Sequence, residues 1–226
     1  MAEAPASTGV TRITIVIADD YPVMREGLAR LLADEFGFAV SGSAATAREL
    51  RMLVTRTPPH VLVMDLMLQE SDGLALIKDI ATLAPALRIV VFSDHPEEIY
   101  AERCLRAGAH GYVMKRDPVA TLFRAIRDVA GGGIAVSPRV SSDVLGRLMG
   151  RTARPVATVG TLTDRELQVF RLVGRALSTR TIAEKLGVSV KTVEAHRENI
   201  KGKLDVDSHT ALVARAAHWL RESGSG

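Results

Sequence analysis

The chain has 226 residues, 47% of them hydrophobic and 24% charged, enough for two modest domains that each bury a core. Cys104 is the only cysteine, which excludes a disulfide scaffold, and no apolar run approaches the roughly eighteen residues of a membrane span. The net charge of +3 is uneven: residues 1–136 carry 14 basic against 17 acidic side chains, residues 137–160 carry 4 against 1, and residues 161–226 carry 11 against 8. A surplus that small permits a nucleic-acid partner for the C-terminal third but does not establish one. The start MAEAPASTGV lacks the basic and apolar stretches of an export signal, so a soluble, cytoplasmic protein with no membrane partner is expected.

The first predicted element is a strand over 13–18, ITIVIA, which runs directly into Asp19 and Asp20. Apolar strand-like runs recur at 38–44, 60–65, 87–93 and 109–114, with helical patterns near 22–34, 46–56, 73–84, 96–107 and 118–130 between and after them. Thr46 with Glu49 forms a capping box, and Gly108 and the glycines at 131–133 mark helix stops. Five strand–helix units in this order predict a doubly wound α/β domain: a five-stranded parallel sheet with helices on both faces. A short helix near 138–149 follows, and GRTARPVATVG at 150–160 has the small residues and missing apolar period of a linker. From Thr163 onward the pattern is helical throughout, with no internal repeat.

Function in an open parallel sheet gathers beyond the C-terminal strand ends. There the sequence places Asp19 and Asp20 after the first strand, Asp65 after the third, Ser93 at the end of the fourth and Lys115 after the fifth. Each residue alone has an ordinary explanation: a cap, a turn acid, a solvated lysine. Their coincidence at successive strand ends points to chemistry. Adjacent carboxylates raise one another's pKa unless a hard cation sits between them, and Mg2+ suits one or two carboxylates plus waters. Asp65 is then a candidate nucleophile for phosphoryl transfer, with Ser93 as a hydrogen-bond donor and Lys115 as a positive point charge for a phosphoryl oxygen.

With ADD, VLVMD, VVFS and GYVMK in place, residues 11–131 resemble a CheY-like receiver domain of two-component response regulators, with its flavodoxin-like fold. The resemblance implies that Asp65 is the phosphoacceptor. It implies that Asp20 and Asp65 ligate Mg2+ with help from Asp19 and the Met67 backbone carbonyl. Tyr112 becomes the aromatic that moves inward when Ser93 turns to the phosphoryl group. Two positions depart from the family pattern: Gln69 stands where a proline is usual, and Asp94, next to Ser93, where a small residue is usual. Asp94 also has a simpler reading as the cap of the following helix, with Pro96 and Glu97 in its first turn.

The C-terminal residues show a capping box at Thr163 and Glu166, then a helix over Ser178–Leu186 broken by Gly187, and another helix from near Ser189. Helix, tight turn, helix is the helix-turn-helix rhythm. Val193, His196, Ile200 and Leu204 recur at three and four and face inward, with His196 a packed structural histidine. Lys191, Thr192, Glu194, Ala195, Glu198 and Lys201 then face outward. Through LTDRE and IAEKLGVSVKTVEAHRENI, residues 161–222 resemble the LuxR-type helix-turn-helix DNA-binding domain, and the whole chain resembles NarL/FixJ-family response regulators. In that family the positions of Glu194, Ala195 and Glu198 face bases, and those of Lys191 and Thr192 hold phosphates. Two acids here replace the commoner lysines, and a glutamate can accept from cytosine N4.

These readings converge on a receiver (11–131), a helical segment and linker (132–160) and a DNA-binding domain (161–222). The implied partners are a sensor histidine kinase, double-stranded DNA and a second copy of the chain in an active homodimer. Two alternatives stand beside this one. The first is a transcription factor that needs no phosphate. The second is a Mg2+-dependent phosphatase with an Asp nucleophile, although Met67 stands where such enzymes place a second acid.

Overall fold

The computed structural model describes residues 12–34, 36–68, 71–149 and 158–222. Gln69, residue 11 and linker residues 150–157 lie outside them. The chain forms two compact units, Met1–Ser93 with Cys104–Val136, and Asp94–Arg103 with Ser137–Gly226.

In the first unit, strands β1 (Thr14–Ala18), β2 (Ala39–Ala44), β3 (Val61–Met64), β4 (Arg88–Ser93) and β5 (Gly111–Met114) form one parallel sheet in the order β2-β1-β3-β4-β5. The interleaved helices are α1 (Pro22–Asp34), α2 (Ala47–Arg56), α3 (Gly73–Leu83), α4 (Glu97–Ala107), of which residues 104–107 fall in this unit, and α5 (Val119–Ala130). β3 is buried along its whole length, as expected of a central strand covered on both faces. β2, an edge strand, keeps Ser41 and Gly42 in its short AVSGSA run and is only partly buried. Side chains alternate across a strand, so Ile15, Ile17, Val61, Val63, Val90 and Phe92 share one core with Leu28 and Leu32 of α1 and with Leu122, Phe123 and Ile126 of α5.

Thr46 caps α2, with its Oγ1 accepting from the Glu49 N–H at 3.1 Å, but the Glu49 carboxylate accepts from the Ala45 N–H at 2.8 Å and not from that of Thr46, so only half of the expected capping box forms. Gly108 takes a φ of +112°, which a side chain would strain. After α5 the chain turns through Gly132 at φ +89° and returns to the sheet margin, where the Tyr112 N–H donates to the Ala135 carbonyl at 2.8 Å.

The second unit holds residues 97–103 of α4 together with α6 (Pro138–Leu148), α7 (Asp164–Gly174), α8 (Thr179–Leu186), α9 (Val190–Leu204) and α10 (His209–Glu222). A short 3-10 turn, Val159–Thr161, occupies the end of the stretch read as linker, with Val159 buried. Thr163 and Glu166 form the reciprocal capping box of α7. A Cβ on Gly174 would stand 2.7 Å from the Ala216 carbonyl, so the glycine lets α7 and α10 cross closely; Trp219 then packs on Phe170 at 5.8 Å between ring centroids. Gly187 ends α8 in the left-handed region at φ +63°, and Ser189 starts α9 by accepting from the Thr192 N–H.

Candidate functional site

Strand order reverses between β1 and β3, so the crevice of the sheet opens where Asp19 and Asp20 follow β1 and Asp65 follows β3. Ladder bonds continue into both loops: the Asp19 N–H donates to Ala44 O at 3.1 Å and the Asp65 N–H to Ala18 O at 2.7 Å. One carboxylate oxygen from each of Asp19, Asp20 and Asp65 lies within 4.8 Å of the others. Lys115, following β5, reaches into this group with Nζ 2.7 Å from Asp19 Oδ2 and 3.1 Å from Asp65 Oδ2. The side chains of Lys115, Asp19 and Asp65 are only 6%, 4% and 9% exposed. Burial alone would lower the Lys115 pKa, but the charges of Asp65 and Asp19 and the hydrogen bonds to both raise it above its ordinary value.

The paired acids do different work. Asp19 has both oxygens engaged, Oδ1 by the Tyr21 N–H at 2.8 Å and Oδ2 by Lys115, and its carbonyl accepts from Arg25 Nη1 at 2.6 Å. Asp20 Oδ1 is buried and without a hydrogen-bond partner among the described residues. A buried, unpaired carboxylate oxygen beside two further carboxylates is costly unless a cation completes it. Oxygen donors of this kind suit a hard divalent ion, so the residues fit Mg2+. Met67 lies in the turn after Asp65, and Ser93 and Tyr112 are buried at the end of β4 and in β5.

Three residues that sequence reasoning missed shape this pocket. Gly73 opens α3 so close to the loop after Asp65 that a Cβ would sit 1.9 Å from the Leu66 carbonyl. Asp117 accepts from the Met114 N–H at 3.2 Å and its own N–H donates to the Met114 carbonyl, closing the turn that carries Lys115. Arg25 fixes the β1–α1 loop from one turn into α1. Only Gly73, directly after the capping Asp72 at a helix start, left a readable signal.

Asp94 is exposed, and among the described residues its carboxylate accepts no hydrogen bond, so the capping explanation has no bond behind it.

In the second unit, α8 and α9 form the helix-turn-helix. Val193, Ile200 and Leu204 are buried and His196 is half-buried, which fits the inward stripe. Lys191, Thr192, Glu194, Ala195 and Glu198 are exposed along the opposite strip. Lys201 is less open, with Nζ 2.8 Å from Glu198 Oε1. The Thr192 hydroxyl pairs with Ser189 Oγ at 2.8 Å in the cap. Lys203 pairs with the 4%-exposed Glu166 at 2.6 Å, joining α9 to the start of α7. Burial would raise the Glu166 pKa, but hydrogen bonds from Lys203 and Thr163 and the Lys203 charge hold it below its ordinary value.

A buried cluster of three carboxylates and a lysine at the switch point of a doubly wound sheet, in a chain that also carries a helix-turn-helix, is the arrangement of a response regulator. Residues 15–127 match the response regulator receiver domain, and residues 160–216 match the luxR family of bacterial regulatory proteins. The chain is 33% identical over 207 residues to the oxygen regulatory protein NreC of Staphylococcus carnosus, covering 89% of this chain and 95% of that protein. It is 31% identical over 226 residues to the transcriptional regulatory protein DegU of Brevibacillus brevis, covering 93% and 96%. A solved structure of the RcsB response regulator of Salmonella typhimurium, described for its conformational dynamism in DNA interaction, superposes with a TM-score of 0.70 at 25% identity, over 92% of this chain and 98% of that one. The chain belongs to the NarL/FixJ family of two-component response regulators, with a receiver domain and a LuxR-type DNA-binding domain. No helix among the described residues is long and apolar enough to cross a membrane.

Proposed function

We propose that Asp65 is the phosphoacceptor of residues 11–131 and that its phosphorylation by a sensor histidine kinase controls dimerisation and DNA binding through residues 161–222. The observation that carries this is the buried cluster itself: a nucleophile-type carboxylate, Asp65, shares Lys115 with Asp19 beside the unpartnered Asp20 Oδ1. An Asp65 oxygen attacks the phosphorus of a phosphohistidine, forming an O–P bond as the N–P bond breaks. The electron pair stays on the imidazole nitrogen, which then takes up a proton.

Asp20, Asp65 and the Met67 carbonyl are the residues that would hold Mg2+, which when bound neutralises charge on the transferred group. Asp19 holds Lys115 and the β1–α1 loop in place. Lys115 then supplies a cation to one phosphoryl oxygen, and the Ser93 hydroxyl donates to another. Tyr112, already buried in this structure, packs in the space that the turned Ser93 leaves, coupling the pocket to the surface of the receiver. A shift of this two-state population favours the homodimer, which presents two recognition helices to two half-sites of double-stranded DNA. Such a regulator works in the cytoplasm.

The test is direct. With Mg2+ and acetyl phosphate, the chain should gain one hydroxylamine-sensitive phosphoryl group and shift toward dimer, and Asp65→Asn should do neither. Labelling of Asp65→Asn at the normal rate would place the nucleophile elsewhere. DNA binding and dimerisation that ignore the phosphodonor would mark a regulator that works without phosphate.

A further inference from the structure

Arg197 lies outside the outward strip of the recognition helix, yet it gathers groups from two other helices. Its Nη1 donates to Thr179 Oγ1 of α8 at 2.5 Å, and its Nη2 lies 2.8 Å from Nε2 of His209, the first residue of α10, and also touches Nδ1. Helix residues advance by about 100°, so Arg197 falls between the inward stripe of Val193, Ile200 and Leu204 and the outward strip of Glu194 and Glu198. That is the edge of the groove-facing surface, where backbone phosphates flank the bases that a recognition helix reads.

We propose that Thr179, Arg197 and His209 clamp one phosphate of the DNA backbone, and that closing the clamp places a proton on His209. The proposal rests on the DNA-binding reading and adds to it a phosphate site and a proton.

The protonation states follow from donor and acceptor rules. Both imidazole nitrogens lie against the Arg197 guanidinium, a cation with donors only, so a second positive charge on His209 is disfavoured in the free protein. Its surroundings agree. Arg197 and Lys201 of α9 are the cations near it, Glu194 and Glu198 lie along the same side of α9 and act on Arg197, and Thr179 of α8 is uncharged. Asp205, Asp207 and Ser208 precede His209 in the chain, and Ser208 Oγ is taken by the Ala211 N–H at 3.1 Å. No carboxylate among the described residues lies within ion-pair distance of His209. His209 is exposed, yet the water it gives up against Arg197 and the charges of Arg197 and Lys201 hold its pKa below the ordinary histidine value, and its place in the first turn of a helix works in the same direction.

A phosphate entering beside Arg197 reverses each of these effects. Its oxygens accept from the guanidinium and offset the positive charge that the imidazole faces. Its negative charge favours imidazolium, which donates to a second oxygen, and the Thr179 hydroxyl turns from acceptor to donor. Binding therefore takes up a proton in the range where free His209 is neutral, so affinity rises as pH falls.

The experiment uses the full chain and a fluorescein-labelled duplex of mixed sequence, about 30 base pairs long, because a backbone contact acts on all DNA. Affinity is read by anisotropy at fixed low ionic strength. Between about pH 8 and about pH 6 the unsubstituted chain should tighten about three- to tenfold, the effect of a pKa difference of up to about one unit between free and bound His209. His209→Gln should remove that rise and stay at the weaker level; His209→Arg should remove it and stay at the tighter level. Arg197→Gln should weaken binding at every pH and lower the salt slope by about one. The clamp is overturned if His209→Gln keeps the full pH rise or if Arg197→Gln leaves affinity and slope unchanged. If the unsubstituted chain binds no duplex at any pH, the DNA-binding reading fails and takes the clamp with it.

Discussion

The acidic pocket and the recognition helix use the same pairing in opposite settings. Lys115 meets Asp19 at 2.7 Å and Lys201 meets Glu198 at 2.8 Å, so separation does not distinguish them. Burial does: the pocket pair is 6% and 4% exposed, the helix pair 21% and 70%. In the pocket each charge has given up water and depends on its partner, so removing one strands the others. On α9 water screens the pair, which contributes little to stability and leaves the charges available to another molecule. The receiver pocket keeps its charges inside. The recognition helix displays this pair at the surface, although the same unit also buries Glu166 against Lys203.

The strongest test of that contrast is Lys115→Ala. It should leave Asp19 and Asp65 buried without their cation and cost about 3–5 kcal/mol of receiver stability in chelator. Mg2+ should restore part of the loss, because the same carboxylates then share a cation again. Thermal unfolding with and without Mg2+ measures both, and an unchanged midpoint in chelator would show that the pocket tolerates unpaired charge. Gly73→Ala probes the same loop by sterics. A Cβ 1.9 Å from the Leu66 carbonyl forces the loop after Asp65 to move, at about 1–3 kcal/mol, and should slow labelling of Asp65 as well.

What was legible in the sequence follows from this difference. Asp19, Asp20, Asp65, Ser93 and Lys115 could be found because strands end where apolar runs end, and a parallel sheet brings those ends together. The division of labour between Asp19 and Asp20 could not, since it depends on which carboxylate the Tyr21 N–H and Lys115 reach within a turn that has no period. The outward strip of α9 was legible from its 3.6-residue rhythm. The partners of Arg197, Thr179 and His209, lie 18 and 12 residues away, and Glu166, the partner of Lys203, lies 37 away; such pairs are set by helix packing and leave no local pattern. Gly174 likewise shows its purpose only against the Ala216 carbonyl.

On α9 the expected effects are smaller and fall on binding. Glu198→Ala should change stability by no more than about 0.5 kcal/mol, since the Glu198 carboxylate is largely solvated. It should relax a base preference by about 1–3 kcal/mol if its carboxylate accepts from a cytosine amine. Lys191→Ala should instead weaken all duplexes alike and lower the salt slope by about one. Competition between sequence pools separates the two outcomes. The register is wrong if Lys191→Ala alters sequence preference while Glu198→Ala changes nothing.

The smallest expected effect belongs to Asp94, an exposed acid like those of the recognition helix, placed directly after the buried Ser93. If it were a helix cap, Asp94→Ala would cost about 1 kcal/mol of stability and leave phosphorylation alone. The carboxylate accepts no hydrogen bond among the described residues, so that cost is not expected. What remains is its charge. At an effective dielectric near 20, unit charges about 8 Å apart repel by about 2 kcal/mol, and screening at ordinary salt removes much of this. A small anionic donor approaching the receiver should meet that residual repulsion, whereas a kinase, whose docking surface can offset a single charge, should meet less of it. Asp94→Ala should therefore speed labelling by acetyl phosphate about three- to tenfold at low salt and by less at high salt, with the unfolding midpoint unchanged. A rate that does not move at either salt would remove Asp94 from the phosphorylation pathway, and a drop in stability would return it to the cap.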